Sequence, residues 1–173
     1  MPVIRIDPTT LPGRPCSLAS ALELVGDRWS LLAVREVSFG NHRFSQIARN
    51  TGAPRDRLSA RLKALVEGGI LERRADPEGS RYEGYHLTQA GEELGPAVLM
   101  LMSWGAKWTV DSPPMGQTHH DHPLALTATC ATCGHLDGAD EVTHEMLVPH
   151  WNLAGPEKAA GPGKPGEPGE PGN

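Results

Sequence analysis

Cysteine and histidine are concentrated in the last third of the chain, where their spacing could bind a metal ion or support thiol chemistry. Six of the eight histidines lie in residues 109–154, together with Cys130 and Cys133. A Cys-x-x-Cys pair followed by glycine lets two thiolates face one tetrahedral metal ion. The HHDH run nearby is the best source of a second pair of ligands, for which we select His120 and His122, and His135 or His144 are the next candidates. Three interpretations stay open here: a zinc site, a reversible dithiol, or a surface loop with incidental histidines.

The third cysteine, Cys16, has a position that suits a redox sensor. It directly precedes the first predicted helix, for which Ser17 is the expected N-cap. A helix N-terminus favours the thiolate, which is the reactive form of a cysteine. The alternative is an inert buried side chain, which cysteine often is. Three cysteines in 173 residues do not make a disulfide scaffold.

A basic amphipathic helix is predicted over residues 54–67. Its predicted buried stripe follows a helical spacing and consists of Leu58, Leu62, Leu65 and Val66. The opposite face carries basic residues that can donate hydrogen bonds to bases or phosphates, and alanines small enough for close approach. The pattern predicts a DNA-reading helix followed by a basic hairpin, with these contact residues: Arg43, Pro54, Arg55, Arg57, Ser59, Ala60, Arg61, Lys63, Arg73, Arg74 and Arg81. The alternative is a helical bundle with a solvated basic face.

The net charge of the chain, −5, at first argues against a nucleic-acid partner. The charge is unevenly distributed, however, because residues 109–173 carry −7 while residues 43–81 carry +4. A basic segment inside an acidic chain is typical of a small DNA-binding module with an acidic extension.

The elements that would position the basic helix are predicted by apolar periodicity and by capping residues. A first helix covers residues 18–25, and Asp27 caps a second helix that ends near Gly40. The remaining predicted elements are a third helix over residues 43–50, the basic helix, a hairpin of residues 70–73 and 81–87, and a last helix over residues 90–108 capped by Thr88. This order predicts a mainly α fold with a small β-hairpin, the winged helix-turn-helix.

Composition divides the chain into four segments. The sequence predicts an N-terminal arm over residues 1–15, a winged helix-turn-helix domain over residues 16–108, and a Cys/His-containing appendage over residues 109–154. Residues 155–173 are rich in glycine and proline and end in GPGKPGEPGEPGN. Such a composition cannot bury enough apolar surface to fold, so we predict a disordered tail.

Four sequence blocks in the predicted domain resemble the HxlR family of bacterial transcriptional regulators. They are GDRW at residues 26–29, LxxRLxxLxxGGIxxR at residues 58–73, YxLT at residues 85–88 and WGxxW at residues 104–108. The resemblance spans residues 16–108 nearly without gaps. It implies a homodimeric winged helix-turn-helix regulator that dimerises through its first and last helices and binds an inverted-repeat operator. Several members of that family carry a redox-sensing thiol at the position of Cys16.

The composition of the last predicted helix independently favours a dimer. Residues 97–106 are apolar almost all round, interrupted only by Ser103, and such a helix must be covered on more than one side. A domain of this size covers only one side, and the 4-3-4 spacing along the helix suits a partner helix. The predicted dimer residues are Leu18, Leu22, Leu94, Val98, Leu101, Trp104 and Trp108.

These observations together predict a cytoplasmic, sequence-specific DNA-binding regulator. Its expected partners are double-stranded DNA, a second copy of the chain and an effector, either a small molecule or an oxidant. Zinc at the Cys-x-x-Cys element is the one cofactor considered. No membrane is involved, because the longest nearly apolar run, residues 96–102, is far short of a membrane span.

Other functional classes fit the sequence less well. The chain contains no GxGxxG, GxxxxGK[ST], GxSxG or HExxH motif, so we predict that it is not an enzyme. A metal- or thiol-responsive sensor, with the Cys-x-x-Cys appendage as its input, is compatible with DNA binding. A protein-binding adaptor on a winged-helix scaffold would have no need of an exposed basic face, and its affinity would not fall steeply with salt.

Overall fold

The computed structural model describes residues 3–75, 83–136 and 138–157. The first part of the chain forms these elements: α1 (Ser17–Val25), α2 (Arg28–Ser38), α3 (Phe44–Thr51), α4 (Arg55–Glu67), β1 (Leu71–Ala75), β2 (Glu83–Leu87), α5 (Gln89–Glu93) and α6 (Gly95–Trp108). The elements after α6 are β3 (Thr118–His119), β4 (His122–Pro123), β5 (Thr129–Cys130), β6 (Gly134–His135), β7 (Trp151–Asn152) and β8 (Gly155–Pro156). Short 3₁₀ turns lie at Pro8–Thr10 and Ala139–Glu141. In the described ranges, none of the helices has the length and apolar character needed to cross a bilayer.

Helix boundaries follow the predicted capping residues with small differences. The carboxylate of Asp27 accepts a hydrogen bond from the Trp29 backbone N–H at 2.9 Å, which confirms the predicted cap of α2. Cys16, rather than Ser17, is the N-cap residue of α1, and it makes no side-chain cap hydrogen bond. The hydroxyl of Thr88 accepts from the Gly91 N–H at 3.3 Å, as expected for the cap of the helix that follows β2.

The hydrophobic core is formed by the end of α1, by α2, α3 and α4, and by the start of β1. The described buried apolar residues all lie between Val25 and Leu71, and Leu58, Leu62 and Leu65 are each at most 1% exposed. The stripe predicted for the basic helix is therefore confirmed. Because this stripe is buried against α2 and β1, the polar face of α4 points away from the domain.

The predicted single helix over residues 90–108 is wrong, because the structure has two helices there. Helix α5 ends at Glu93, Leu94 is not part of the α-helix on either side, and α6 begins at Gly95. Pro96 is the physical reason: it has no N–H to donate to the carbonyl of Glu92, and its ring crowds the preceding turn.

The hairpin of β1 and β2 is attached to the loop between α2 and α3. The strands are antiparallel, with Arg73 opposite Tyr85 and Arg74 opposite Gly84. The N–H of Tyr85 donates to the carbonyl of His42 at 2.8 Å. A Cβ at Gly84 would lie 3.0 Å from the Cβ of His42, so the missing side chain permits this close approach. The hairpin tip, residues 76–82 with Arg81, lies outside the described residues.

The appendage after α6 consists of three small hairpins, which the sequence did not predict. Each has two-residue strands, and they pair β3 with β4, β5 with β6, and β7 with β8. Of the side chains described in residues 109–157, none is buried. The last hairpin includes Gly155–Pro156, so the first residues of the predicted tail belong to it. Residues 158–173, the remainder of the predicted disordered tail, lie outside the described part of the chain.

The appendage contacts α6 at one end and the N-terminal arm at the other. The hydroxyl of Ser103 in α6 donates to the side-chain oxygen of Gln117 at 3.1 Å. At the other end, Arg14 donates to the carbonyl of Leu153 at 2.6 Å. The three hairpins are thus attached to the domain by a few polar contacts rather than by a shared core.

Candidate nucleic-acid interface

The exposed face of α4 carries the residues predicted to read DNA. Arg55, Arg57, Ser59, Ala60 and Lys63 are all exposed, on the side opposite the buried leucines. Pro54 precedes them as the exposed N-cap residue of the helix. The N-terminal half of α4 therefore presents two arginines beside small side chains, the combination that can approach base edges closely.

A tight turn between α3 and α4 sets the position of this face. Gly52 ends α3 with a φ of 69°, a conformation that favours glycine. The hydroxyl of Thr51 donates to the carbonyl of Ile47 at 2.7 Å and accepts from the N–H of Ala53 at 3.2 Å. Ala53 is itself buried, so the turn is anchored in the core on one side and bonded to α3 on the other.

A buried carboxylate fixes α3 and the loop before it, and the sequence analysis missed it. Glu36 is only 4% exposed, and its two oxygens accept hydrogen bonds from three side chains. Arg35 donates to one oxygen at 2.7 Å, while Asn41 and Asn50 donate to the other at 2.8 and 2.9 Å. Hydrogen bonds to a charged group are each worth ~1.5–3 kcal/mol. The one available signal was the position of Glu36 beside Val37 on the apolar face of α2.

The basic side chains of α4 are not equally free to meet a ligand. Arg61 Nε lies 4.0 Å from a carboxylate oxygen of Asp27, and Lys63 Nζ lies 3.7 Å from Glu67. Arg55 stacks its guanidinium over the ring of Phe44, 4.9 Å from the centroid. Over the described ranges, neither Arg55 nor Arg57 takes part in an ion pair. Among the basic side chains of α4, Arg57 thus has the fewest described contacts that would compete with DNA.

The basic residues flanking α4 are partly held by acidic neighbours. On the hairpin, Arg73 Nε lies 3.7 Å from Glu83, and Arg74 lies 3.6 Å from Glu72. The guanidinium of Arg73 also lies 5.4 Å from the centroid of the Tyr85 ring. Arg43, also a predicted contact, is exposed at the N-cap of α3. These residues lie outside α4, which suits contacts to phosphates rather than to bases.

The first and last helices expose large apolar side chains. Leu18 is 65% exposed on α1, as is Trp108 on α6, and Leu22, Leu101 and Trp104 are also exposed. The other two predicted dimer residues, Leu94 and Val98, are placed differently, since both pack against the hydrophobic core. Helix α6 contacts α2, which contributes buried side chains to that core. An unpartnered apolar face thus remains on the outer sides of α1 and α6.

The predicted redox cysteine lies where the appendage meets α1. Cys16 is half-buried and unpaired as a thiol. It lines an open groove of about 540 Å³ with Arg14 on one side and residues 144–148 with Leu153 on the other. The Cys16 sulfur therefore lies next to both the start of α1 and the appendage.

The Cys-x-x-Cys element forms a hairpin turn whose backbone favours a thiolate. The N–H groups of Cys133 and Thr132 donate to the sulfur of Cys130, which lowers the pKa of this thiol to about 7. Cys133 is exposed, and both cysteines are free thiols. At neutral pH a large fraction of Cys130 is therefore the nucleophilic, metal-binding form.

The predicted metal ligands form two separate pairs. The ring of His119 lies 4.1 Å from that of His120 and 5.7 Å from that of His122, while Cys130 and Cys133 belong to the next hairpin. Counting only side chains that the structure describes, no three His, Cys, Asp or Glu residues are close enough together to hold a metal ion. The His135 side chain is outside that set.

Comparison with known proteins gives a consistent result. The family model described as HxlR-like helix-turn-helix matches residues 24–113. The HTH-type transcriptional regulators Mb3122 of Mycobacterium bovis and Rv3095 of Mycobacterium tuberculosis are each 45% identical over 139 residues, covering 75% of this chain and 84% of the relative. The crystal structure of PA1607, a candidate transcription factor, is similar with a TM-score of 0.67 and 28% identity, covering 75% of this chain and 94% of that one.

The similarity is not confined to the helical domain. A match over 75% of the chain is longer than residues 1–108, so it must include part of the appendage. Part of the appendage is therefore included in the similarity to the two mycobacterial regulators and to a solved structure, in addition to the domain that carries α4.

Proposed function

This chain belongs to the HxlR-like helix-turn-helix family, whose members are transcriptional regulators and not enzymes, and from this premise we propose how it binds DNA. The membership confirms the resemblance seen in the four sequence blocks. Helix-turn-helix regulators bind DNA, and homodimers are typical of this family. We propose that α4 enters the major groove and that two copies bind the two halves of an inverted repeat.

The observation that carries this proposal is the outward face at the start of α4. Arg55 and Arg57 are exposed there beside Ser59 and Ala60, while the leucines of the same helix hold it rigidly in the core. An arginine can pair with both acceptors of a guanine, and neighbouring small residues let the helix come close enough for that contact. The buried Glu36 network holds α3, and the Gly52 turn connects α3 to α4.

The dimer follows from the apolar face on α1 and α6. Leu18, Leu22, Leu101, Trp104 and Trp108 are the residues we assign to it, and Leu94 and Val98 are left to the core. A two-fold axis at this face would repeat α4 on one side of the dimer. The half-sites would then lie about one helical turn of DNA, ~34–36 Å, or a multiple of it apart.

The effector is proposed to be an oxidant that acts at Cys16. The sulfur lies at the N-cap of α1, one residue before the helix that carries Leu18 and Leu22 of the dimer face. Oxidation would change the start of α1 and with it the spacing of the two copies of α4. Cys16→Ser should keep DNA affinity and remove its response to oxidants; a response that persists in this variant would reject Cys16 as the sensor.

The DNA-binding proposal is tested by arginine removal on the reading face. Arg57→Ala should weaken binding to a selected operator by about 5- to 150-fold, because one bidentate base contact is worth ~1–3 kcal/mol. Arg5→Ala is the matched control: it removes the same charge from the exposed N-terminal arm and should change affinity little. Fluorescence anisotropy with labelled operator and with a scrambled duplex measures both effects.

The same assay separates a DNA regulator from a protein-binding adaptor. Operator affinity should fall steeply with salt, and Arg57→Ala should relax sequence preference as well as lower affinity. Operator affinity that is unchanged in Arg57→Ala would sink the assignment of α4 as the reading helix. Operator affinity that does not change with salt would favour the interpretation as a protein-binding adaptor.

A further inference from the structure

Two adjacent hairpins in the appendage present pairs of metal-binding residues with the same spacing. In the first, His119 in β3 is directly opposite His122 in β4, three residues later. In the second, Cys130 ends β5, and Cys133 immediately precedes β6, again three residues later. A pair at this spacing across a hairpin turn lets two side chains approach one ion from the same side.

Backbone geometry prepares each pair for a ligand. Gly134 follows the second cysteine with a φ of 103°, a conformation that favours glycine and that closes the turn. The turn directs the N–H groups of Thr132 and Cys133 at the Cys130 sulfur. Hydrogen bonds of this kind orient a metal-bound thiolate. In the first hairpin, the rings of His119 and His122 lie edge to face with centroids 5.7 Å apart.

The appendage also needs a stabilising link that its apolar residues do not supply. None of the side chains that the structure describes between residues 109 and 157 is buried, although three hairpins are formed there. Segments this small are usually stabilised by disulfides, metal ions or oligomerisation. A disulfide between Cys130 and Cys133 would close a very short loop within one hairpin, so it would restrict the unfolded chain little and connect nothing else.

We propose that residues 118–135, the zinc hairpins, bind one Zn(II) through His119, His122, Cys130 and Cys133. Two thiolates and two imidazoles in tetrahedral arrangement are a common structural zinc site. His119 replaces His120 of the sequence prediction, because the strand pairing places His119 opposite His122 while His120 lies in the turn. The two pairs are separate in the structure, so metal binding must close the hairpins on each other over the linker of residues 124–128.

The proposal is independent of DNA binding and is tested on the full chain by metal content. After expression with zinc and gel filtration, elemental analysis should give about one zinc per chain. The double variants Cys130→Ser/Cys133→Ser and His119→Ala/His122→Ala should each lose it. Cys16→Ser and His144→Ala are matched controls, which remove a thiol and an imidazole elsewhere and should retain full zinc.

Cobalt substitution identifies the ligands without relying on a variant that loses its metal. Co(II) bound at the site should show the near-ultraviolet thiolate charge-transfer band of two sulfur ligands. His122→Cys should keep the metal and increase this band by about half, since it adds a third sulfur ligand.

Three results would overturn the proposal. The first is zinc binding that survives His119→Ala/His122→Ala unchanged, and the second is a charge-transfer band that does not grow in His122→Cys. The third is wild-type protein that takes up no zinc from a buffered solution while Cys130 and Cys133 are titrated as free thiols.

Discussion

The helical domain and the appendage are stabilised in different ways. The domain has a continuous core of side chains between Val25 and Leu71, contributed by four helices and a strand. The appendage has hairpins and polar attachments, with no buried side chain among those described. Burial of apolar area is the main favourable term in folding, so the domain can be stable by itself while the appendage depends on a link from outside its apolar residues.

In the helical domain, the residues available to bind a ligand are different from the residues that stabilise the fold. In the domain, leucines maintain the structure, and arginines on the opposite face of the same helix remain available for a ligand. In the appendage, the chemically active side chains are, by our proposal, also the ones that hold it together. Loss of the proposed zinc ion would therefore alter the fold of the appendage but leave the domain folded.

The sharpest test of the comparison is a leucine-to-alanine substitution in each region. Leu62→Ala removes a fully buried side chain of α4 and should lower the free energy of unfolding by ~2–5 kcal/mol. Leu147→Ala removes an appendage side chain that is 87% exposed and should change it by less than ~0.5 kcal/mol. Urea unfolding followed by circular dichroism measures both. Similar losses in the two variants would contradict a core confined to the domain.

A smaller effect is expected at Glu36, the buried carboxylate that holds α3 and the loop before it. Glu36→Gln removes the charge that Arg35, Asn41 and Asn50 share, and it leaves one amide group facing donors. We expect a loss of ~1–3 kcal/mol in the free energy of unfolding, because buried donors lose a charged acceptor. Thermal unfolding measures this loss, and operator affinity should fall with it because α3 and the loop before it are held by this carboxylate.

Glu93→Gln provides the matched control, since Glu93 is an exposed carboxylate on α5 that accepts from Gln89 alone among the described contacts. It should leave the melting temperature and operator affinity almost unchanged. A Glu36→Gln protein as stable as this control would show that the buried carboxylate does not support the fold.

The mildest test concerns pH and affects the appendage only. In zinc-free protein, alkylation of Cys130 should increase with pH with a midpoint near 7, since that is the pKa to which the backbone donors lower this thiol from 9.0. A depressed pKa stabilises the folded hairpin fully above pH 9, and this contribution is lost as the pH falls through about 7. Mass spectrometry of alkylated peptides measures the midpoint.

Thr132→Pro removes one of the two N–H donors and should move that midpoint upward. The melting temperature of the helical domain should not follow the titration of Cys130. A midpoint near 9 in the unmodified protein would contradict the hydrogen-bonded turn.

Local sequence rules predicted much of the domain, because its signals act over short distances. The leucine stripe of α4, the Asp27 cap and the Gly-Gly end of the helix depend only on helical periodicity and on backbone groups nearby. The break before α6 could also have been predicted, since Pro96 was visible in the sequence, but the long apolar run favoured a single helix. The three hairpins of the appendage gave no comparable signal because strands of two residues have no periodicity.

By itself, then, the sequence determined the family, the order of helices and hairpin, and which face of α4 is exposed. Only the tertiary structure decided that Glu36 holds α3 and the loop before it, that Leu94 and Val98 pack against the core, and that His119 rather than His120 faces His122. The physical reason is distance along the chain. Periodicity and caps are set by neighbours within a few residues, whereas burial and strand register depend on which distant segments pack together.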